Sequence, residues 1–338
     1  MVLVQKDEFC NVSISQGEKE YIIENNANYF KMGVNEGRVF QALSNGIDHL
    51  EIMRKFHVTE HDLTSFVDFL RAQHIIGKTP KKTKNSIFFY RIQLFEADGI
   101  VTKCADFIRQ HSQIFKLLFV LYNLCIVAGL GLLIRNFAEI FRLESIKMQG
   151  AQYVLLYILS LVTVVMHEFA HGITCKLNGC KVGKIGIIFI LFQPAFYCDI
   201  SGIRMLPNSK HKQIMTSLAG IYLNLFLACV SAICFHFTHS HFAATFAFIQ
   251  LSFIISNIVP FIKLDGYWVL SFWTGITNLF TKSRQGVHYI LDGKNKQERF
   301  IGWYGLFSWI FMLFSLGSMV YALVGLSTKF IFWIQGLF

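Results

Sequence analysis

Tyr153-Val154-Leu155-Leu156-Tyr157-Ile158-Leu159-Ser160-Leu161-Val162-Thr163-Val164-Val165-Met166 is an uncharged apolar run that leads straight into His167-Glu168-Phe169-Ala170-His171. The run and the histidines fit one helix long enough to cross a bilayer. Four-residue spacing then puts both imidazoles on one helical face, where they can share one Zn²⁺. Glu168 beside them has the chemistry of a general base that activates a water. Two histidines and a carboxylate in lipid are costly to bury, so a cluster there marks a functional site.

The rest of the chain supports a membrane setting. Of 338 residues, 54% are hydrophobic, 35 are phenylalanine and only 15% are charged, and the mean hydropathy is +0.46. This composition belongs to a polytopic membrane protein, not to a soluble enzyme of the same length. No charged start followed by an apolar core opens the chain, so the N-terminal domain is expected to stay in the cytoplasm. The net charge of +10 follows the positive-inside pattern. Lys81, Lys82 and Lys84 precede the first apolar segment, Lys176, Lys181 and Lys184 follow the histidine helix, and Lys282, Arg284, Lys294, Lys296 and Arg299 fill a later loop. The charge therefore records topology, and no nucleic-acid partner is expected.

None of the eight cysteines forms a C-x-x-C pair. They read as small buried hydrophobes, with an accessory metal role for Cys175 and Cys180 as the alternative. The histidines at 236, 239 and 241 read as an interfacial turn.

Residues 1–85 read as a small α+β, winged-helix-like domain. Residues 21–23 and 29–32 are strand-like on either side of Asn25-Asn26-Ala27-Asn28, and helices are expected over 36–43, 47–56 and 60–73. Thr59 is placed to cap the last of these helices, with Asp62 three residues on. Residues 86–113 read as a connector with a strand-like stretch at 87–95. Residues 114–338 form the membrane part, a mainly α helix bundle of about five spans at 114–134, 153–173, 214–237, 242–260 and 301–326. His167 lies nine residues before Lys176, about 13 Å in from that charge. The apolar stretch 185–198 is too short to span and contains Pro194, which predicts an interfacial or re-entrant hairpin. The tail 330–338 is expected to lie at the interface.

A catalytic zinc usually has three protein ligands and an open position. The candidate for the third is Asp265, in Asn257-Ile258-Val259-Pro260-Phe261-Ile262-Lys263-Leu264-Asp265-Gly266, which follows the inward-facing end of the fourth span. Pro260 and Gly266 break that helix and let the carboxylate turn. A second Leu-Asp-Gly at 291–293 sits among lysines, where a solvated turn explains it.

His167-Glu168-x-x-His171-Gly172 together with Asn257-x-x-Pro260-x-x-x-Leu264-Asp265-Gly266 resembles the site-2 protease family of intramembrane zinc metalloproteases. Ala219-Gly220-Ile221-Tyr222-Leu223-Asn224 resembles that family's AGPxxN element, with Ile221 in place of the proline. The resemblance covers roughly residues 150–270. More narrowly, residues 194–201, the stretch leading into Ala219-Gly220, and Lys263-Leu264-Asp265-Gly266-Tyr267-Trp268 resemble the peptide zinc metalloproteases of bacterial peptide-maturation clusters. The N-terminal domain resembles PqqD-like domains, which bind leader segments of ribosomally made peptides; that match rests on element order and hydrophobic pattern.

The resemblance implies Zn²⁺ on His167, His171 and Asp265, with Glu168 as the catalytic base in peptide-bond hydrolysis near the cytoplasmic side of a cell membrane. Asn224 and Asn257 are candidates for binding substrate backbone or the oxyanion, and Asn224 has interhelical contact as its other reading. The hairpin at 185–198 is placed to pair with an extended substrate. The substrate implied is a peptide or protein, such as a precursor peptide held by the N-terminal domain. Two further classes stay open: a signalling protease acting on a membrane-anchored regulator, and a non-catalytic immunity or export protein.

Overall fold

The computed structural model describes residues 6–9, 12–17, 20–25, 28–73, 75–77, 89–141, 150–190, 193–206, 209–286 and 288–335. The lysine-rich connector expected over residues 77–85 falls outside them from residue 78 on. The chain divides into two units, Met1–Leu251 and Ser252–Phe338.

In the first unit, strands β1 (Val12–Gln16), β2 (Tyr21–Asn25) and β3 (Asn28–Met32) form an antiparallel meander in the order β1-β2-β3. Ile14 faces Ile23, and Ile23 faces Phe30, so the apolar members of each alternation share a face. Helices α1 (Val34–Ser44), α2 (His49–Phe56) and α3 (Glu60–Ala72) follow. Ile23, Phe40, Ile52, Leu63, Val67 and Leu70 are fully buried and form the common core. Thr59 caps α3 as expected, its Oγ1 accepting the Asp62 N–H at 3.1 Å. A forked Arg71–Glu8 ion pair at 2.9 and 3.0 Å ties α3 to the short helical turn Lys6–Phe9. The domain thus has an α+β core of its own, with β1 an additional strand that the sequence pattern did not reveal.

Among the described residues, five helices are long and apolar enough to cross a membrane: Ser112–Arg135 (α5), Gly150–Leu177 (α7), Lys210–Thr238 (α8), His241–Ile258 (α9), and Lys296–Ser318, the last being the start of α13 (Lys296–Gln335). The protein is a mainly α, polytopic bundle. Helix α8 packs between α5 and α7. Small residues let it do so: a Cβ on Gly129 of α5 would sit 2.3 Å from the Cβ of Cys229, the close approach on which helix pairs in lipid depend. Tyr122 of α5 stacks on Phe226 at 4.0 Å and donates its hydroxyl to the Tyr222 carbonyl at 2.9 Å. The outer face of α5, including Leu117, Phe119 and Leu121, is left exposed for lipid.

The stretch 86–113, expected as a connector, carries regular structure. Strand β4 (Phe89–Glu96) joins β5 (Lys184–Ile190) and β6 (Gln193–Cys198) in an antiparallel sheet with β5 in the centre. The hairpin predicted at 185–198 is therefore present and is extended by a strand from far away in sequence. Gly186 has no room for a side chain, because a Cβ would lie 2.1 Å from the Ile92 carbonyl oxygen across the pair. Helix α4 (Asp98–Gln110) then packs on α7.

The second unit begins within α9 and contains α10 (Asp265–Thr274), α11 (Leu279–Gln285), α12 (Tyr289–Asp292) and α13. Tyr267, Ile276, Leu279, Phe280, Ile301 and Tyr304 are its core. The Tyr304 hydroxyl donates to the Pro260 carbonyl at 2.7 Å, satisfying an acceptor that the chain exposes where α9 ends. Helix α13 starts in a capping box: Asn295 Oδ1 accepts the Glu298 N–H at 2.8 Å, and Glu298 accepts the Lys294 N–H at 2.7 Å. The tail expected as a separate interfacial segment instead continues α13 to Gln335, since no Gly or Pro follows Gly325 before that point.

Candidate metal centre

Thr163, His167, His171 and Cys175 recur every fourth residue and are all buried on one face of α7. Facing them on α8 is a second four-residue stripe, Thr216, Gly220 and Asn224, also buried. The helices run antiparallel here, so His171 meets Thr216 and His167 meets Asn224. The His171 Nδ1 lies 2.8 Å from the Thr216 carbonyl oxygen. A carbonyl only accepts, so this nitrogen carries the proton and leaves a lone pair on Nε2. The His167 Nδ1 lies 3.1 Å from Asn224 Oδ1, which selects the same tautomer.

The two Nε2 atoms point at each other across 3.1 Å. Lone pairs facing at that distance repel unless a cation lies between them. Two imidazole ligands on a tetrahedral zinc bring their nitrogens to roughly 3.3 Å of each other, so this half of the site fits the ion. Both rings are nearly sealed, at 5% and 3% exposure. Gly220 sets the closeness of α8, because a Cβ there would stand 2.4 Å from His167 Nε2. Asn224, read from sequence as a substrate contact or a helix contact, lies against His167. Thr216 was not singled out from sequence and Gly220 was read only as part of the Ala219–Asn224 element, although their spacing before Asn224 repeats that of the histidines.

Glu168 is half-buried on the neighbouring face of α7. Cys198, at the end of β6, is close enough for the Glu168 carboxylate to act on it: burial first, then Glu168, pushes its thiol above the usual range. Gly172 allows this approach, since a Cβ there would lie 3.3 Å from both Cys198 Sγ and a Val101 methyl of α4. The edge strand β6 therefore ends beside the histidine helix. Asp199 is exposed, and its Oδ1 accepts the Ser201 N–H at 3.1 Å, which makes it a turn residue.

Beyond the spans, α4 is pinned to the end of α7. Asp98 Oδ1 accepts from Lys176 Nζ at 2.7 Å and from the Val182 N–H at 3.0 Å. The Lys176 ammonium first, and the Val182 N–H second, hold the Asp98 carboxyl below the usual carboxylate range. In the second unit, Asp265 is the half-buried first residue of α10. A Cβ on Gly266 would meet the Ile258 carbonyl at 2.1 Å, so the chain folds back tightly on the end of α9 just there. Asn257 is half-buried, its Nδ2 donating to the Phe253 carbonyl at 3.0 Å. Asp292, by contrast, is exposed.

Comparisons with known proteins agree with this geometry. Residues 154–240 match the model of peptidase family M50, a span that takes in both histidines of α7 and the whole Thr216–Asn224 stripe. The chain is 30% identical over 131 residues to a protein of Bacillus subtilis (strain 168) described as "Putative peptide zinc metalloprotease protein YydH". The shared stretch is 38% of this chain and 51% of that relative, so the match spans about half of the relative's length. No solved structure matches the chain. Residues 154–240, which carry the paired histidines on α7 and the facing Thr216–Asn224 stripe on α8, are thus similar to peptidase family M50.

Proposed function

We propose that the protein is an intramembrane zinc endopeptidase that cuts a peptide near the cytoplasmic side of the membrane, in the maturation of a ribosomally made peptide. The observation that carries the reading is the pair of imidazole Nε2 atoms, 3.1 Å apart with both Nδ1 protons committed elsewhere. His167, His171 and Asp265 would hold the ion, the ligand set that the two sequence motifs imply. A zinc ion held there supplies a Lewis acid that makes a water nucleophilic near neutral pH and polarises the scissile carbonyl.

This chain's own residues do the rest. Glu168 takes the proton from the attacking water and hands it to the leaving amine nitrogen. Asn224 and Thr216 keep the two rings in the tautomer that leaves Nε2 available. Asn257 contacts the substrate backbone or the developing oxyanion. The substrate must be unwound, because helical hydrogen bonds shield its carbonyls, and β6 offers an edge strand to which an extended segment can add. The N-terminal domain, read as PqqD-like, holds the precursor's leader. The relative's printed description as a peptide zinc metalloprotease supports this choice of substrate class.

The test is metal content set against cleavage. Protein purified in detergent should carry about one zinc per chain and cleave a short peptide encoded beside its own gene. Glu168→Gln should keep the metal and lose cleavage, and His167→Ala should lose both. Full cleavage by metal-free protein would overturn the proposal.

A further inference from the structure

Helix α4 has more apolar surface than its protein neighbours cover. At about 100° per residue, its apolar side chains fill one broad arc, from Phe107 through Ile100, Cys104 and Ile108 to Val101 and Ala105. One flank of the arc is used, since Val101 and Ala105 are buried and α4 packs on α7. On the other flank Ile100 and Phe107 are 49% and 56% exposed, close to Leu117 at 61% on the outer face of α5. The remaining circumference is polar, with Lys103, Asp106 and Arg109 exposed and the last two paired at 2.9 Å. A helix that served only as a strut against α7 would need a narrower apolar stripe.

The exposed flank continues onto a span. His111 alone separates α4 from α5. The Phe107 ring lies 4.5 Å from that of His111 and 5.9 Å from that of Phe115 in the first turn of α5. The level of α4 is set by α7. A Cβ on Gly172 would lie 3.3 Å from a Val101 methyl, and both ends of α4 reach Lys176. Asp98 does so through its ion pair at 2.7 Å, and Arg109 by donating to the Lys176 carbonyl at 2.8 Å. Gly172 is one turn inside Lys176, about 6 Å along the axis. Amphipathic helices that lie in a membrane surface bury their apolar face about 5–10 Å into the boundary between headgroups and acyl chains, which is the same level. We propose that α4 is an interfacial membrane helix whose Ile100 and Phe107 flank lies in the leaflet where α7 ends, with lipid as its cover. Lys103, next to Phe107 on the border of the two faces, can lay its stem on the apolar side and place its ammonium among headgroup phosphates. The histidine helix is thereby held at the bilayer surface by the turn that follows His171. The inference uses the membrane setting alone and stands whether or not the protein cleaves a peptide.

Full-length protein is reconstituted in phosphatidylcholine vesicles that contain a phosphatidylcholine with a diazirine on its acyl chain near the glycerol. After illumination, peptide mapping reads where the carbene has inserted. Ile100 and Phe107 should carry label within about twofold of that on Leu117, while Asp106 and Arg109 on the polar flank carry only background. Ile100→Asp combined with Phe107→Asp should bring α4 to that background with the label on Leu117 unchanged. Phe107→Gln serves if the double variant fails to insert. Label on Leu117 without label on Ile100 and Phe107 would overturn the proposal, because something other than lipid would then cover the face. Equal label all round α4 would overturn it as well, since the helix would then not lie flat in a membrane surface.

Discussion

Asn224 Oδ1 lies 3.1 Å from His167 Nδ1, across 57 residues of sequence, and Gly220 one turn earlier on α8 makes that closeness possible. The motif reads physically as a gap followed by a hook. The missing side chain at 220 admits the imidazole, and the amide at 224 fixes which nitrogen keeps its proton. Replacing Asn224 with Leu should lower zinc affinity by about ten- to a hundredfold while leaving the fold in place. Asn224→Asp, which still accepts from Nδ1, should recover most of that loss. Gly220→Val should do more damage than either, because its Cβ would start 2.4 Å from the ring nitrogen. Zinc competition titrations on the three variants check the order.

The sequence made these spans legible because lipid demands a long uncharged run, and such runs survive in composition alone. It also exposed the histidine pair, since four-residue spacing on one helix is a local property. What it hid was pairing across distance. Residues 87–95 read as a strand, but nothing local says that its partner is β5 at 184–190. Likewise Thr216 holds His171 through a backbone carbonyl, which any residue type at that position could present. The strand β1 was missed because its alternation is carried by only two apolar residues, Val12 and Ile14. Helices α10, α11 and α12 went unread for a different reason: at ten residues or fewer their pattern is shorter than the window in which periodicity can be judged.

The two Leu-Asp-Gly copies should respond differently to substitution. Asp265 begins a helix directly after an apolar span and is half-buried, whereas Asp292 is exposed beside Gly293 and Lys294. Asp265→Ala should remove zinc and activity together. Asp292→Ala should leave both within about twofold of wild type, because an exposed surface substitution seldom costs more than about 0.5 kcal/mol. Metal analysis of the two purified variants is enough, and the reverse result would contradict the assignment of the third ligand.

Asp98 should make stability depend on acidity. Its carboxyl is held below the usual range by Lys176 and the Val182 N–H, so the folded protein binds that proton less tightly than the unfolded chain does. The contribution is therefore fully present above the unfolded value of about 3.9 and is lost as pH falls through the lower folded value. Asp98→Asn keeps the shape and removes the charge. The melting temperature of the wild type in detergent should exceed that of the variant by a constant margin from about pH 5 to 8, and the margin should vanish in stronger acid. A gap that widens as the pH falls would mean that the Asp98–Lys176 pair contributes nothing in the folded state.

Removing residues 1–85 should separate binding from chemistry. The N-terminal domain has its own core, and its central strand β2 packs against Ser201–Met205, the short helical segment that follows β6. Ile22 on β2 and Ile203 in that segment are each only 1% exposed, so the domain is seated next to the end of the strand on which we place the substrate. A leader held along an edge of the β1-β2-β3 sheet would gain backbone hydrogen bonds from the edge and selectivity from side-chain pockets. Its attached core segment would then be present near the histidines at an effective concentration of roughly a millimolar for a short linker. Truncation should accordingly weaken cleavage of a full-length precursor by about a hundredfold, within the range such tethering provides, while a short core peptide without leader should lose little. Zinc content should stay at the wild-type level, which separates a lost tether from a damaged site. Equal loss on both substrates with the metal retained would remove the recognition role and favour a sensor domain instead.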